Sequence, residues 1–325
     1  MRRALGLVFL SVGWLLLLPQ EALAWGPATH VALGEAVLRS AALLPPAVRA
    51  ILQRYPNRFL YGSIAADISF GKKYAPVGRH CHHWHVGEEI LETADSEELA
   101  AVGYGYLAHL AADTIAHNFY VPRQLLLTRT SPAVGHTYWE HRMDLELGEA
   151  HAARARRLVE AHEESEADEL FDTVLSRTLF SFRTNRKIFR SMVAAQGNEQ
   201  WRLVFDRVIQ MSRFEFPAST RDHYLVLSFD SIMDFLIRRE VSHPAGLDPI
   251  GEANLRLAKK VRRQELPAAG LVDPEILHTV GHRHFPLPTA VPRYVPERPI
   301  PEIPALRSQR PSLPPPEPVL EPSEG

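Results

Sequence analysis

An all-α fold, a bundle of many helices, is what this sequence predicts, and three observations predict it. Apolar residues recur at three- and four-residue intervals, as in Leu225, Phe229, Ile232, Phe235 and Leu236, which is the spacing of one helix face. No segment sustains the period-two alternation of a half-buried strand. The composition, 46% hydrophobic and 23% charged over 325 residues, supplies apolar surface for a real core and excludes a wholly disordered, collagenous or disulfide-stapled chain. With 36 Lys and Arg against 38 Asp and Glu, no global charge favours nucleic acid or an anionic membrane. The departure is histidine: 16 in all against a single cysteine, nine of them between His30 and His141.

In chain order, the first element is a leader. Arg2 and Arg3 precede an apolar run over residues 4–19 and the small-residue pattern Ala22-Leu23-Ala24, the layout of a signal peptide. A spanning helix needs about 20 apolar residues, more than this run offers, so residues 1–24 read as a cleaved leader rather than an anchor. Cleavage after Ala24 leaves Trp25 as the first residue. No later stretch is long and apolar enough to span a bilayer, so the mature protein is expected to be exported, periplasmic or extracellular. Lone Cys81 has no partner for an internal disulfide there.

Helices are then expected over 31–39, 47–55, 88–93, 97–118, 138–160, 169–180, 187–195, 199–211, 223–239 and 252–263, forming one all-α domain over residues 25–268 with no internal repeat. Beyond it, 13 of the 26 prolines follow Phe285. Proline has no amide donor and a fixed φ, so residues 269–325 are expected to be an extended, disordered tail.

The chemistry concentrates in the segment 101–116, AVGYGYLAHLAADTIA, where Asp113 is the single charged residue in an otherwise apolar helix. Such a helix belongs in the middle of the bundle, and a buried carboxylate there must pair or protonate. His109 lies four residues before Asp113 and His117 four after, so the three side chains share one face, drifting about 40° and rising about 6 Å per step. A hydrogen-bonded Asp–His core network is the plain structural alternative. A line of nitrogen and oxygen donors for borderline cations, Zn²⁺ first among them, is the functional one. His136 and Glu140 repeat the four-residue spacing on the next helix, and RHCHHWHVG packs His80, His82, His83 and His85 into one short stretch. Asp67 sits among small apolar residues, where a helix cap is the bland reading. Gly103 and Gly105 fit a loose dinucleotide-binding pattern, but no strand precedes them, and close helix packing explains them better. Arg183, Arg186, Lys187 and Arg190 lie on an amphipathic helix, read as a solvated face before a lipid- or nucleic-acid-facing patch.

Together these residues resemble the bacterial zinc-dependent phospholipases C, which share their fold with fungal single-strand-specific zinc nucleases; the likeness at the motifs runs over roughly residues 25–145. The resemblance implies a bundle around a buried trinuclear zinc site. It implies that Trp25, once freed by cleavage, binds zinc through its own amino nitrogen and carbonyl oxygen, with His30 as the next ligand. Asp67 then matches the family's first Asp, His82 of HCHHW its next His in preference to His80, His83 or His85, and His109 with Asp113 its His-x3-Asp pair. His117 matches the following His, although at a closer spacing than usual, and His136 with Glu140 the last His-x3-Glu. By the same resemblance one zinc takes Asp67, His82, His109 and Asp113, a second His117, His136 and Glu140, and a third Trp25, His30 and Asp113.

Three divalent cations in an apolar bundle complement a phosphodiester, neutralising its oxygens and lowering the pKa of an attacking water toward about 7. Asp67 is the expected general base. The resulting expectation is an exported zinc phosphodiesterase of the phospholipase C type, releasing diacylglycerol and a phosphorylated head group from a phospholipid during transient contact with a membrane surface. A single-strand nuclease of the same fold and a noncatalytic zinc-stabilised envelope module are the alternatives. The near-neutral chain gives no electrostatic support for stable nucleic-acid binding. Head-group preference would reside in the segments 70–79 and 121–135, expected as loops beside the metals.

Overall fold

The computed structural model describes residues 25–69, 78–128, 132–161, 166–175, 181–196, 203, 207, 209, 212, 214–266 and 272–288. The expected leader at 1–24, most of the expected loop at 70–79, the proline-rich stretch from 289 onward, and most of the helix expected at 199–211 lie outside the described residues. Among the described residues there is no strand, and the chain is all-α.

Helix α1 (Pro27–Arg39) is followed by α2 (Pro46–Arg54) and α3 (Pro56–Ala65), which tightens into a 3₁₀ turn at Ala66–Ile68. Next come α4 (Trp84–Thr93) and α5 (Glu97–Ile115), which runs through a π-helical turn at Ala116–Tyr120 into α6 (Val121–Thr128). The second half comprises α7 (Pro132–Leu147), α8 (Glu149–Ala161), α9 (Glu166–Val174), α10 (Phe182–Gln196), α11 (Ala218–Arg238), α12 (Glu252–Gln264) and α13 (Pro274–His284).

α5 is the axis of the bundle. Its start is capped by the Ser96 hydroxyl, which accepts from the Leu99 amide at 3.2 Å, and Glu97 and Glu98 complement the positive end of the helix dipole. From Leu99 to Ile115 every residue is buried, because α3, α4 and α11 pack around it. Contact with α3 is backbone against backbone. A Cβ on Gly105 would lie 2.1 Å from the Phe59 carbonyl oxygen, and one on Gly62 would lie 2.1 Å from that of Val102. Only glycine fits at either position, so the Gly-rich stretch of α5 is a packing device, with no phosphate-cradling role.

Several expected boundaries move. The helix anticipated over 138–160 divides at Gly148, whose φ of 84° favours glycine and ends α7. α3 and α13, not anticipated, both open with proline in the first turn, where the missing N–H costs nothing. Reading those prolines as breakers hides the helices behind them. α13 also carries the packed chain past the expected limit at 268: Leu277, Val280 and Phe285 join Leu126, Ala258, Val261 and Leu266 in a second apolar cluster. Arg123 donates to the Phe285 carbonyl at 2.8 Å, and a His223 ring nitrogen donates to that of Pro288 at 2.9 Å. In the segment 121–135, expected as a loop, residues 121–128 are helical as α6 and residues 132–135 as the start of α7. On α10 the basic cluster is divided, because Arg186 is buried and pairs with Asp168 while Arg183 and Lys187 face solvent.

Candidate metal centre

The expected donors come from six segments that α5 gathers. His109 and Asp113 lie one turn apart on α5, and His117 follows in the π turn. Asp67 occupies the 3₁₀ turn after α3, His82 precedes α4, His30 lies in the first turn of α1, and His136 and Glu140 lie one turn apart on α7. The His-rich segment is pinned to α5 by Tyr106, whose hydroxyl donates to the Cys81 carbonyl at 2.6 Å. The π turn is pinned to α7 by Tyr120, which donates to the Trp139 carbonyl at 2.9 Å.

These supports create two adjoining groups. In the first, Nε2 of His82 and Nε2 of His109 are 3.0 Å apart, with Oδ2 of Asp113 at 3.2 and 3.1 Å from them. Oδ1 of Asp67 lies 3.4 Å from His82 Nε2 and 3.9 Å from His109 Nε2. Oδ1 of Asp113 turns the other way, to 3.4 Å from Nε2 of His30, whose ring stacks on His109 with centroids 3.9 Å apart. In the second group, Nε2 of His136 is 3.0 Å from Oε1 of Glu140, and the His117 ring stands perpendicular to that of His136. His117, His136 and Glu140 bring their donor atoms within metal-binding reach of one another, as do His30, His109 and Asp113, and Asp67, His82 and His109. His80, Cys81 and His82 form one further set of close donors at the edge of the first group.

A carbonyl can only accept, so it decides which ring nitrogen carries hydrogen. Nδ1 of His109 faces the Ser63 carbonyl at 2.9 Å and Nδ1 of His117 faces that of Pro249 at 2.5 Å. Both therefore donate from Nδ1 and present the Nε2 lone pair to the centre, the arrangement of a metal-ligating histidine. Nε2 of His30 and both oxygens of Asp113 are buried and make no hydrogen bond of acceptable geometry. Lone pairs converging in a dry core repel unless a cation lies among them, so this donor set fits Zn²⁺. Electrostatics agree in sign. Burial would raise the Asp113 carboxyl, yet His109 beside it, with His30 and His82 close by, holds it well below the usual carboxylate range. Burial, reinforced by His109, pushes His30 down toward its neutral form.

Of the four clustered histidines, His82 is the one whose ring reaches Asp67, His109 and Asp113. His80 supports it, its Nδ1 accepting from the His82 amide at 3.1 Å, while His83 and His85 stack on each other nearer the surface. Trp25 is fully buried ahead of α1, its indole N–H shared by the Ala112 carbonyl and the Ser228 hydroxyl, each at 3.2 Å. One supporting residue escapes the sequence patterns. Buried Asp144 of α7 accepts from the amides of Ala28 at 3.1 Å and Thr29 at 2.9 Å and from the Thr29 hydroxyl at 2.6 Å. Its carboxylate caps α1 and fills the space where a Cβ on Gly26 would sit, so it sets the register of both Trp25 and His30. The signal is present, since Asp144 follows Glu140 by the same four-residue step that relates Glu140 to His136.

A family model described as zinc dependent phospholipase C matches residues 29–188, a stretch that contains both donor groups whole. Over these residues the chain matches the zinc-dependent phospholipase C family. Comparison with curated proteins and with solved structures finds no match. Trp25 lies just ahead of the part matched to the phospholipase C family, and α11 to α13 lie beyond it. Among the described residues no helix is long and apolar enough to cross a membrane.

Proposed function

We propose that this protein is an exported zinc phosphodiesterase that hydrolyses phosphoglycerides to diacylglycerol and a phosphorylated head group. The observation that carries this reading is the two-sided Asp113, one oxygen toward His82 and His109 and the other toward His30, beside a second group of His117, His136 and Glu140. Three zinc ions would be held: by Asp67, His82, His109 and Asp113; by His117, His136 and Glu140; and by His30, Asp113 and the amino nitrogen and carbonyl of Trp25. When bound, zinc supplies Lewis acidity that polarises a phosphodiester and an attacking water. A donor set of mixed histidines and carboxylates suits open catalytic ions better than closed structural ones.

The chain's own groups then have definable tasks. Asp67 is the general base, an acceptor-only carboxylate on the margin of the first group, where its Oδ1 stands farther from His109 than Asp113 does. The Ser63 carbonyl keeps His109 in one tautomer throughout, so that ring holds its place and does not shuttle protons. The apolar walls of α5 exclude water and leave charges weakly screened. The substrate is a phospholipid presented at a membrane surface, which the protein touches transiently.

The test is to offer zinc-loaded protein beginning at Trp25 phosphatidylcholine, a soluble phosphodiester and single-stranded DNA. Release of phosphocholine is the expected result. Nucleotides released from DNA in its place would make the protein a nuclease, and silence on all three with zinc bound would make it a metal-stabilised module.

A further inference from the structure

We propose that residues 247–251, which lie outside the stretch matched to the family, form a latch that orients His117 and completes the second donor group. This rests on the reading of His117 as a metal ligand. The contact itself is the 2.5 Å hydrogen bond from His117 Nδ1 to the Pro249 carbonyl. An imidazole free to turn about its χ angles would present either nitrogen to His136 and Glu140. With Nδ1–H fixed on a carbonyl, Nε2 alone is left to face them, and it does so as a lone pair.

The latch works only if that carbonyl is itself held, and its neighbours are tied from three directions. The Asn118 amide group, on the π turn beside His117, donates to the Asp248 carbonyl at 2.8 Å and to the Thr114 carbonyl at 2.9 Å. Asn254 donates to the Asn118 side-chain oxygen at 2.8 Å, which fixes the orientation of that amide. The Asp248 carboxylate accepts from the amides of Ile250 at 3.0 Å and Glu252 at 3.1 Å, closing the turn into α12. Trp84, two residues after His82, donates from its indole to the Leu247 carbonyl at 2.9 Å while its ring stacks on Phe235 at 4.3 Å. One end of the segment is thus anchored beside the first donor group and the other beside the second.

Gly251 sets the distance of approach. Its φ of 64° is left-handed, and a Cβ there would lie 2.5 Å from both the carbonyl oxygen and the Cβ of His117. Any side chain would push the segment off the π turn and take the Pro249 carbonyl with it. Gly148 supplies a matched control: its φ is 84°, but a Cβ there meets nothing within 4 Å. Alanine at Gly148 therefore carries the same kind of backbone strain without touching a histidine.

The experiment compares Gly251→Ala, Asn118→Ala, Gly148→Ala and His117→Ala with the parent protein. It measures zinc per chain after dialysis against a series of buffered zinc concentrations, and the visible spectrum after cobalt substitution. Gly251→Ala and Asn118→Ala are expected to weaken retention of one ion about 10- to 100-fold, as loss of a histidine's supporting partner does, and to alter the cobalt spectrum. Gly148→Ala should match the parent in both. If Gly251→Ala fails to fold, Asn118→Ala decides. Should both latch variants keep parental zinc and spectrum while His117→Ala loses an ion, the latch is wrong and the ligand stands. If His117→Ala also keeps every ion, the ligand reading fails, and the latch fails with it.

Discussion

His82 and His109 point their Nε2 atoms at each other across 3.0 Å in a fully buried pocket. His109 has already donated its Nδ1 hydrogen to Ser63, so its Nε2 lone pair, Nε2 of His82 and an oxygen of Asp113 share one small volume. Asp113 serves this pair with one oxygen and His30 with the other, so its loss should be felt on both sides. Asp113→Asn is predicted to remove more than one zinc equivalent from the purified protein. Metal analysis showing a loss of one or none would remove the bridging assignment.

The same convergence of donors predicts a strong dependence of stability on metal. An ion present at a thousandfold over its dissociation constant stabilises the folded state by about 4 kcal/mol, and no disulfide is available to compensate. Excess strong chelator should lower Tm by about 8 °C or more in a domain of this size. An unchanged Tm with metal removal verified would count against zinc as a structural partner.

The proposed role of Trp25 as a ligand through its own backbone requires a free amine. A protein that retains residues 1–24, and one that begins Met-Trp25, are both predicted to bind fewer zinc ions than one starting at Trp25 and to lose phosphodiesterase activity. Full metal content in either form would exclude the amino terminus as a ligand.

Asp144 gives a prediction in pH. Burial, opposed by its hydrogen bonds from Thr29 and Ala28, raises its carboxyl from 3.8 to about 6. A raised carboxyl favours the protonated folded state, so this contribution is complete below about pH 4 and is lost as pH rises through 6. A rise of that size corresponds to roughly 3 kcal/mol. In zinc-free protein, the difference in urea stability between pH 4 and pH 7 should therefore change by about that amount in Asp144→Asn. Identical pH dependence in the two proteins would show that Asp144 does not titrate in this window.

Much of the fold and of the metal centre is legible in the sequence. A helix with one charge among apolar residues announces its own burial, and fixed steps of four on α5 and α7 place donors on single faces because helical geometry leaves little freedom. Other parts depend on contacts between distant segments. That His82, rather than His80, His83 or His85, turns inward is decided by Tyr106 holding Cys81 from another helix, which no local pattern records. The π turn is equally silent: steps of four put His117 in line with His109 and Asp113, whereas the wider turn delivers it to α7. Pro249 acts through its carbonyl, so its side chain carries no trace of the role. α3 and α13 are hidden by their own first residues, since proline reads both as a stop and as a start.

Burial of the first group has a consequence for rates. His82, His109 and Asp113 have no solvent-exposed surface and His30 has 2%, so the side chains that would hold an ion there cannot swing out to solvent while α1 and the His-rich segment stay packed. Metal exchange must then wait for a local opening of the bundle, and its rate is set by that opening rather than by ligand strength. Ligands locked into the core can in this way hold their ions for long times in surroundings poor in zinc, where equilibrium alone would strip them.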